Sequence, residues 1–488
     1  MKHFVTLITA LLLAPLAALG AADSPKPNIV YILADDLGYG DVQCLNPQRG
    51  NIKTPNIDKL ATQGITFTDA HSGSSVCTPT RYGLLTGRYA WRTRLQNGVL
   101  SGYVQPLIAA DRLTVPGLLK QHGYHTAIIG KWHLGYTIEG ANKKSAGKGD
   151  GAAMGAITRD GPVTRGFDEF FGFHHARMMK SVFENDRVTQ KIEPVDMLPA
   201  LVKRTSEHIA ERAKAAQPFF VYLALSSPHT PIVPGKEWQG KSGLGDYGDF
   251  VMQTDAAVGE VLAALDRAGV ADNTLVIFTS DNGCSPAAKV DKLEAQGHFA
   301  SGQLRGYKAD IWDGGHRVPF FARWPGKVKA GSQSTQPICH TDLIATCAEM
   351  LGSNLPNNVG EDSVSILPAL LGKATAPIRE SIVHHSIAGR FAIRQGQWKL
   401  ALCPGSGGWG KPGDAEAKKQ GLPSVQLYDI SADIAETKNV AAEHPEVVDQ
   451  MTKRLNQIIA NGRSTPGPKQ ANDVPVIVNK ANAAVPKD

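Results

Sequence analysis

The chain has 488 residues, 42% of them hydrophobic and 20% charged, with 50 glycines. Such a chain is long enough for one large core and a smaller second unit. Its net charge of +6 suits an anionic substrate without requiring one, and no basic run is dense enough to argue for nucleic acid.

In chain order, Lys2 and His3 precede an apolar stretch over residues 4–19, and the small residues Ala18, Gly20, Ala21 and Ala22 follow. This reads as a signal peptide over 1–22. The apolar run is short for a membrane span, so the mature chain is expected to be exported, periplasmic or extracellular, without an anchor. Residues 28–34 form a buried-strand pattern that runs straight into Asp35-Asp36. Cys77-Thr78-Pro79-Thr80-Arg81 comes next, with apolar spacing through Tyr82-Gly83-Leu84-Leu85. Proline is tolerated in a first helical turn, so a helix is expected with Cys77 at its N-terminus, where unpaired N–H groups favour an anion.

Three further strands end on polar chemistry: 127–130 into Lys131-Trp132-His133, 219–225 into Ser226-Ser227-Pro228-His229, and 275–280 into Asp281-Asn282. Short apolar runs alternating with helical patterns predict an α/β domain over 23–376, a large, mostly parallel mixed sheet sandwiched by helices. In such sheets sites form beyond the carboxyl ends of strands, which gathers these residues into one place. Asp35, Asp36, Asp281 and Asn282 are oxygen donors, and three carboxylates so close repel unless a cation lies among them. Oxygen ligation points to calcium, with magnesium second, and not to zinc. The alternative, Asp35-Asp36 as a helix cap, needs only one of the two.

Residues 139–162 are rich in glycine, alanine and lysine and read as a loop at the pocket mouth, with Lys143, Lys144 and Lys148 placed to meet a polyanion. A helix is expected over 340–351. Eight residues of helix span ~12 Å, too far for Cys339 and Cys347 to form a disulfide. Pro377 marks a boundary. Beyond it, short strands and a helix from 445 predict a smaller C-terminal antiparallel-sheet subdomain over 377–465. The Pro-, Ala- and Asn-rich residues 466–488 read as a disordered tail.

Cys77-x-Pro79-x-Arg81 followed by Leu85-Thr86-Gly87-Arg88 resembles the sulfatase signature. The stretches Asp35 to Asp41, Gly130-Lys131-Trp132-His133-Leu134-Gly135, Pro228-His229, Ser280-Asp281-Asn282-Gly283, Lys308 before Asp313-Gly314-Gly315, and Leu427-Tyr428-Asp429 match the family in order. Asp313 stands where that family more often has glutamate. The resemblance implies an alkaline phosphatase-like fold and sulfate ester hydrolysis, on a sulfated carbohydrate or an aryl sulfate. It implies that a formylglycine-generating maturation enzyme oxidises Cys77 to an aldehyde, whose hydrate attacks sulfur with one hydroxyl and expels sulfate by deprotonating the other. Carried over residue by residue, Cys77 joins Asp35, Asp36, Asp281 and Asn282 around calcium. Arg81 holds the nucleophile, and Lys131 and Lys308 clamp sulfate. His133 takes the proton that releases sulfate, and His229 protonates the departing alkoxide or contacts the sulfate. Arg88 and Arg317 are expected to buttress the site. His174, His175, Arg177, His298, Arg305 and Trp409 are further candidates for sugar contacts. A phosphonate or phosphate ester hydrolase of the same superfamily and an inactive carbohydrate-binding homologue remain as alternatives.

Overall fold

The structure is a computed structural model that describes residues 26–139, 151–478, 480 and 485–486. The signal-peptide reading of 1–22 and the lysines 143, 144 and 148 lie outside the described residues. Among the described residues no helix is long and apolar enough to cross a membrane.

The strands of the main domain, in chain order, are β1 (Asn28–Asp35), β2 (Ile65–Phe67), β3 (Ala70–His71), β4 (His125–Lys131), β5 (Glu169–Phe173) and β6 (Ser181–Glu184). They continue with β7 (Arg187–Lys191), β8 (Phe219–Pro228), β9 (Thr274–Ser280), β10 (Phe320–Arg323), β11 (Ser332–Ser334) and β12 (Ile338–Cys339). Ten of them form one sheet in the order β11-β2-β10-β9-β1-β8-β4-β5-β6-β7, and β3 pairs with β12 in a two-stranded ribbon. β9, β1, β8, β4 and β5 run parallel, while β10, β6 and β7 join antiparallel. The sheet is therefore mixed and mostly parallel at its centre, as the alternating pattern predicts.

Both faces of this sheet are covered. Along β1, Ile29, Tyr31 and Leu33 face a core shared with helices Cys77–Thr86, Val115–Gln121 and Leu343–Met350. Val30, Ile32 and Ala34 face the opposite core, shared with helices Pro55–Gln63, Pro194–Arg212 and Asp246–Arg267. Burial on two faces explains why the central strands read as continuous apolar runs and not as an alternation of apolar and polar residues.

After Pro377 the strands β13 (Ser381–His385), β14 (Phe391–Gln395), β15 (Trp398–Ala401) and β16 (Gln426–Asp429) form an antiparallel meander. Helix Pro445–Ala460 buries Met451, Leu455 and Ile458 against it, in a core that also takes in Tyr89 and Trp91 of the main domain. The two units thus share apolar contacts. Of the stretch beyond 465, expected to be disordered, the described residues 466–478 and 480 instead lie on the body. Asp473 accepts from buried Arg88 at 3.0 Å, and Asn472 Oδ1 accepts from Arg92 at 2.9 Å. Lys480 donates to the carbonyl of Gly389 at 3.2 Å. Composition gave no sign of this because the tail's partners are two arginines buried some 380 residues earlier in the chain.

All six cysteines are free, including Cys339 at the end of β12 and Cys347 on helix Leu343–Met350, so no disulfide forms between them.

Candidate active site

The four strands that end on polar chemistry are neighbours in the order β9-β1-β8-β4, so their carboxyl ends open into one depression. β1 delivers Asp35 and then Asp36, whose φ of 65° turns the chain out of the sheet. The Asp281 N–H donates to the Ala34 carbonyl at 3.1 Å, and the Asp36 N–H to Asp281 Oδ1 at 3.2 Å, which ties the two acidic ends together. Left-handed φ at a non-glycine residue is held against its own cost by its surroundings and clusters at functional sites. His133, just beyond β4, is the second case here, with φ 56°.

Helix Cys77–Thr86 is buried along its whole length and starts on Cys77 with Pro79 in its first turn. No side chain caps its N-terminus. The helix closes on Gly87 with φ 64°, whose N–H reaches the Gly83 carbonyl. One ligand-capable atom each of Asp35, Cys77 and Asp281 lies within 4.8 Å of the others, and a second such group joins Asp35, Asp36 and His229.

Three carboxylates and three cations meet here, all buried. Lys131 Nζ donates to both oxygens of Asp35, at 2.7 and 3.0 Å. Lys308 Nζ donates to Asp36 Oδ2 at 2.9 Å. Arg81 donates to Asp281 Oδ2 at 2.7 Å and to the Lys131 carbonyl at 3.3 Å, and lies 3.4 Å from Asp35 Oδ1. Burial works to raise the Asp35 carboxyl, but Lys131, His229 and Arg81 outweigh it and hold it well below the usual carboxylate range. Burial, with the Asp35 charge beside it, pushes Asp281 up to about 7. Burial likewise pushes the Cys77 thiol up to about 12, despite Lys131 and Lys308. At neutral pH an unmodified Cys77 would be a protonated thiol and a poor nucleophile.

The donor set fits a hard cation. Asn282 gives its amide N–H to Asp36 Oδ1 at 2.8 Å and to the Gly283 carbonyl at 2.9 Å, which leaves its Oδ1 buried with no partner. A buried acceptor without a donor costs about 1–3 kcal/mol, and an oxygen beside three carboxylates is the donor type that hard cations take.

Two histidines flank the depression. His133 Nε2 lies 2.8 Å from the Leu100 carbonyl, so it is the protonated nitrogen, and Nδ1 is left bare and buried. Burial, then His175 and Lys131, push His133 well below the usual histidine range, so it is neutral. His229 Nδ1 donates to the Thr230 carbonyl at 2.6 Å, and its Nε2 is 3.6 Å from Asp36 Oδ2. Burial lowers His229 while Asp35 and Asp36 oppose it. Outside lies a cleft of about 270 Å³ lined by His175, Arg177, His229, Thr230, Ser285 and Trp409.

Every residue expected at the centre comes together: Asp35, Asp36, Cys77, Arg81, Lys131, Asp281, Asn282 and Lys308, with His133 and His229 beside them. Lys131 and Lys308, the lysines expected to hold sulfate, are paired here with Asp35 and Asp36. Of the further sugar candidates, His175, Arg177 and Trp409 line the cleft. His174 is buried behind His133, His298 is fixed to Asp41, and Arg305 stacks on Trp312. Arg88 pairs with Glu361 and Asp473, and Arg317 with Asp69 and Asp313. Sequence reasoning missed the Leu100 carbonyl that sets the His133 tautomer, and Thr230 and Ser285 on the cleft wall. None carries a motif, and Leu100 meets His133 from 33 residues away.

The family model described as Sulfatase matches residues 27–353. The chain is 34% identical to N-acetylgalactosamine-6-O-sulfatase of Bacteroides thetaiotaomicron, over 89% of this chain and 94% of that one. It is 33% identical to human arylsulfatase A, over 94% and 93%. Among solved structures, one from work on glycosaminoglycan metabolism by Bacteroides thetaiotaomicron superposes with a TM-score of 0.78 at 31% identity, over 89% of this chain and 99% of that one. A phosphonate monoester hydrolase of Agrobacterium radiobacter shares the fold, with a TM-score of 0.59 at 18% identity over 90% and 96%.

Proposed function

The chain belongs to the sulfatase family, and from that premise we propose that it removes sulfate from a sulfated carbohydrate through a formylglycine made from Cys77. The observation that carries the reading is Cys77 at a buried helix start, within 4.8 Å of Asp35 and Asp281, as a thiol too basic to act unmodified. The Sγ atom stands where the oxygens of a hydrated aldehyde would lie. Asp35, Asp36, Asp281 and Asn282 would hold calcium, whose chemistry when bound is to polarise oxygens and offset sulfate charge.

The chain's own groups supply the remaining steps. Lys131 and Lys308, whose ammonium groups border Asp35 and Asp36, would be the cations that hold sulfate oxygens. Arg81, fixed by Asp281, keeps a positive charge under the nucleophile. His133 receives a proton at Nδ1, the nitrogen that its bond to Leu100 leaves free. His229, its Nδ1–H held by the Thr230 carbonyl, has only Nε2 to offer the departing oxygen, and it gives a proton there from its doubly protonated form, which Asp35 and Asp36 favour. A carbohydrate is favoured by the cleft, where Trp409 offers a face for a sugar ring and Arg177 a charge for an anionic neighbour. The printed name of the Bacteroides thetaiotaomicron relative, N-acetylgalactosamine-6-O-sulfatase, supports a sugar substrate. Export to a periplasm or beyond fits calcium and the leader-like N-terminus.

The test is mass spectrometry of the peptide holding position 77, from protein made with the maturation enzyme, followed by assays on sulfated galactosamine, glucosamine and fucose oligosaccharides. Conversion of Cys77 and sulfate release from a sugar are expected. An unconverted thiol together with no turnover would instead favour a silent carbohydrate-binding homologue. Faster turnover of an aryl phosphonate than of an aryl sulfate would move the chain to the phosphonate hydrolases.

A further inference from the structure

A second cluster of ligand-capable side chains lies where the two sheets meet, apart from the residues of the proposed mechanism. His71 on β3, His316 at the end of helix Asp313–His316 and His384 on β13 are each 2% exposed or less. One ring nitrogen of each lies within 4.8 Å of the other two. The rings pack at centroid distances of 5.2, 4.9 and 3.9 Å.

The hydrogen bonds decide which nitrogens are free. Carboxylate and carbonyl oxygens only accept. His71 Nε2 lies 2.8 Å from Asp69 Oδ1, so Nε2 carries the proton and Nδ1 is bare. His384 Nδ1 lies 3.1 Å from the Ser72 carbonyl, so Nδ1 carries the proton, and Nε2 is buried with no partner. His316 Nε2 lies 3.1 Å from the Ile311 carbonyl. A proton there leaves a bare His316 Nδ1 facing the bare His71 Nδ1 at 3.1 Å. Two lone pairs at that distance repel unless a cation lies beside both. A proton can serve: Lys399 Nζ, 3.2 Å from His316 Nε2, can donate to it, so that His316 Nδ1–H gives to His71. That relay satisfies two rings and still abandons His384 Nε2. A metal ion uses all three lone pairs.

We propose that His71, His316 and His384 bind a zinc ion that clamps the C-terminal sheet to the catalytic domain. Imidazole nitrogens suit zinc and not calcium, so the two sites would not compete for one metal. Asp69, Ile311 and Ser72 each fix one ring's outer nitrogen, as partners of ligating histidines do. Burial, as the first cause, lowers the proton affinity of all three rings, which keeps them neutral and ready as ligands. Lys399 does not oppose an ion unanswered, because Asp313 and Glu436 each hold it at 2.7 Å. His316 and His384 are stacked at an angle of 12°, so one ring must turn to aim both lone pairs at one point. The ion would fix the start of the segment leading to Cys77. It would also fix the Gly315 carbonyl, which receives the Gly283 N–H next to Asn282 at 3.0 Å.

The test uses the full mature chain. After metal stripping and dialysis against zinc, wild type is expected to retain about one zinc per chain by elemental analysis, and cobalt in its place to give the intense visible absorption of a low-coordinate nitrogen site. His384→Phe, which keeps a ring of similar shape, should lose the zinc and the cobalt band while calcium content stays the same. Asp69→Asn should weaken zinc binding by about 10- to 100-fold. Wild type with neither stoichiometric zinc nor the cobalt band overturns the proposal, and that result needs no variant to fold. Zinc retained in full by His384→Phe also overturns it.

Discussion

At the scale of single residues, the site is a balance of buried charges. Lys131, ahead of His229 and Arg81, is the main partner that keeps Asp35 ionised. Replacing one member of a buried pair strands the other, at about 3–5 kcal/mol. Lys131→Met is expected to destabilise the chelator-treated protein by that much and the calcium-loaded protein by less, read from urea unfolding in both states. Equal losses would argue against a cation among Asp35, Asp36, Asp281 and Asn282. His133 carries a pH prediction. In the proposed mechanism its neutral form is the base, and burial with neighbouring positive charge lowers its proton affinity. The base is therefore lost only as pH falls through a value below 6.5, the ordinary histidine figure. The acidic limb of kcat should lie below that pH, and His133→Ala should remove the limb and lower kcat by about 10²- to 10⁴-fold. A limb at or above 6.5 that vanishes in the variant would contradict the assigned environment.

At the scale of elements, the strand ends are positioned by close backbone contacts that only glycine allows. Gly130, the residue before Lys131, has φ 118°, and a Cβ there would stand 1.8 Å from the Ala224 carbonyl oxygen on β8. Neither strand can yield without breaking the parallel ladder between them. Gly130→Ala is expected to cost about 3 kcal/mol or more, from strain and overpacking together. Gly123→Ala is the control: φ is also positive, at 87°, but nothing lies within 4 Å of its Cβ. It should cost only about 1–2 kcal/mol. Chemical denaturation of the two variants separates strain from collision, and equal costs would mean that the β4–β8 contact is not rigid.

At the scale of the whole molecule, the C-terminal stretch works as a strap. It covers Arg88 and Arg92, which are fully buried, and brings Asp473 and Asn472 to them. The Pro486 carbonyl accepts from the Trp409 indole at 3.0 Å, which places Pro486 beside the cleft. Ending the chain after residue 465 should lower stability by about 1–3 kcal/mol, the cost of buried donors left without partners. Arg88 keeps Glu361 and Arg92 keeps Asp362, which limits the loss. Turnover of a small aryl sulfate should survive, because no proposed catalytic residue lies in the strap. Calorimetry and an aryl sulfate assay on the truncated chain check both halves of this expectation.

The four central strands, the start of the Cys77 helix and the membership of the acidic centre were legible in the residues alone. Each is local: an apolar run, a proline in a first turn, or a motif on the turn after a strand. What lay beyond sequence reasoning depends on residues far apart in the chain. The pairing of Lys131 with Asp35 spans 96 positions and that of Lys308 with Asp36 spans 272, and nothing local marks those lysines as charge partners. The Leu100 carbonyl that sets the His133 tautomer, the strap on Arg88, and the meeting of His71, His316 and His384 are of the same kind. Periodicity and turn chemistry determine which elements form and what they carry at their ends. Packing alone decides which lone pair or charge finds a partner, because that partner is chosen by proximity in space.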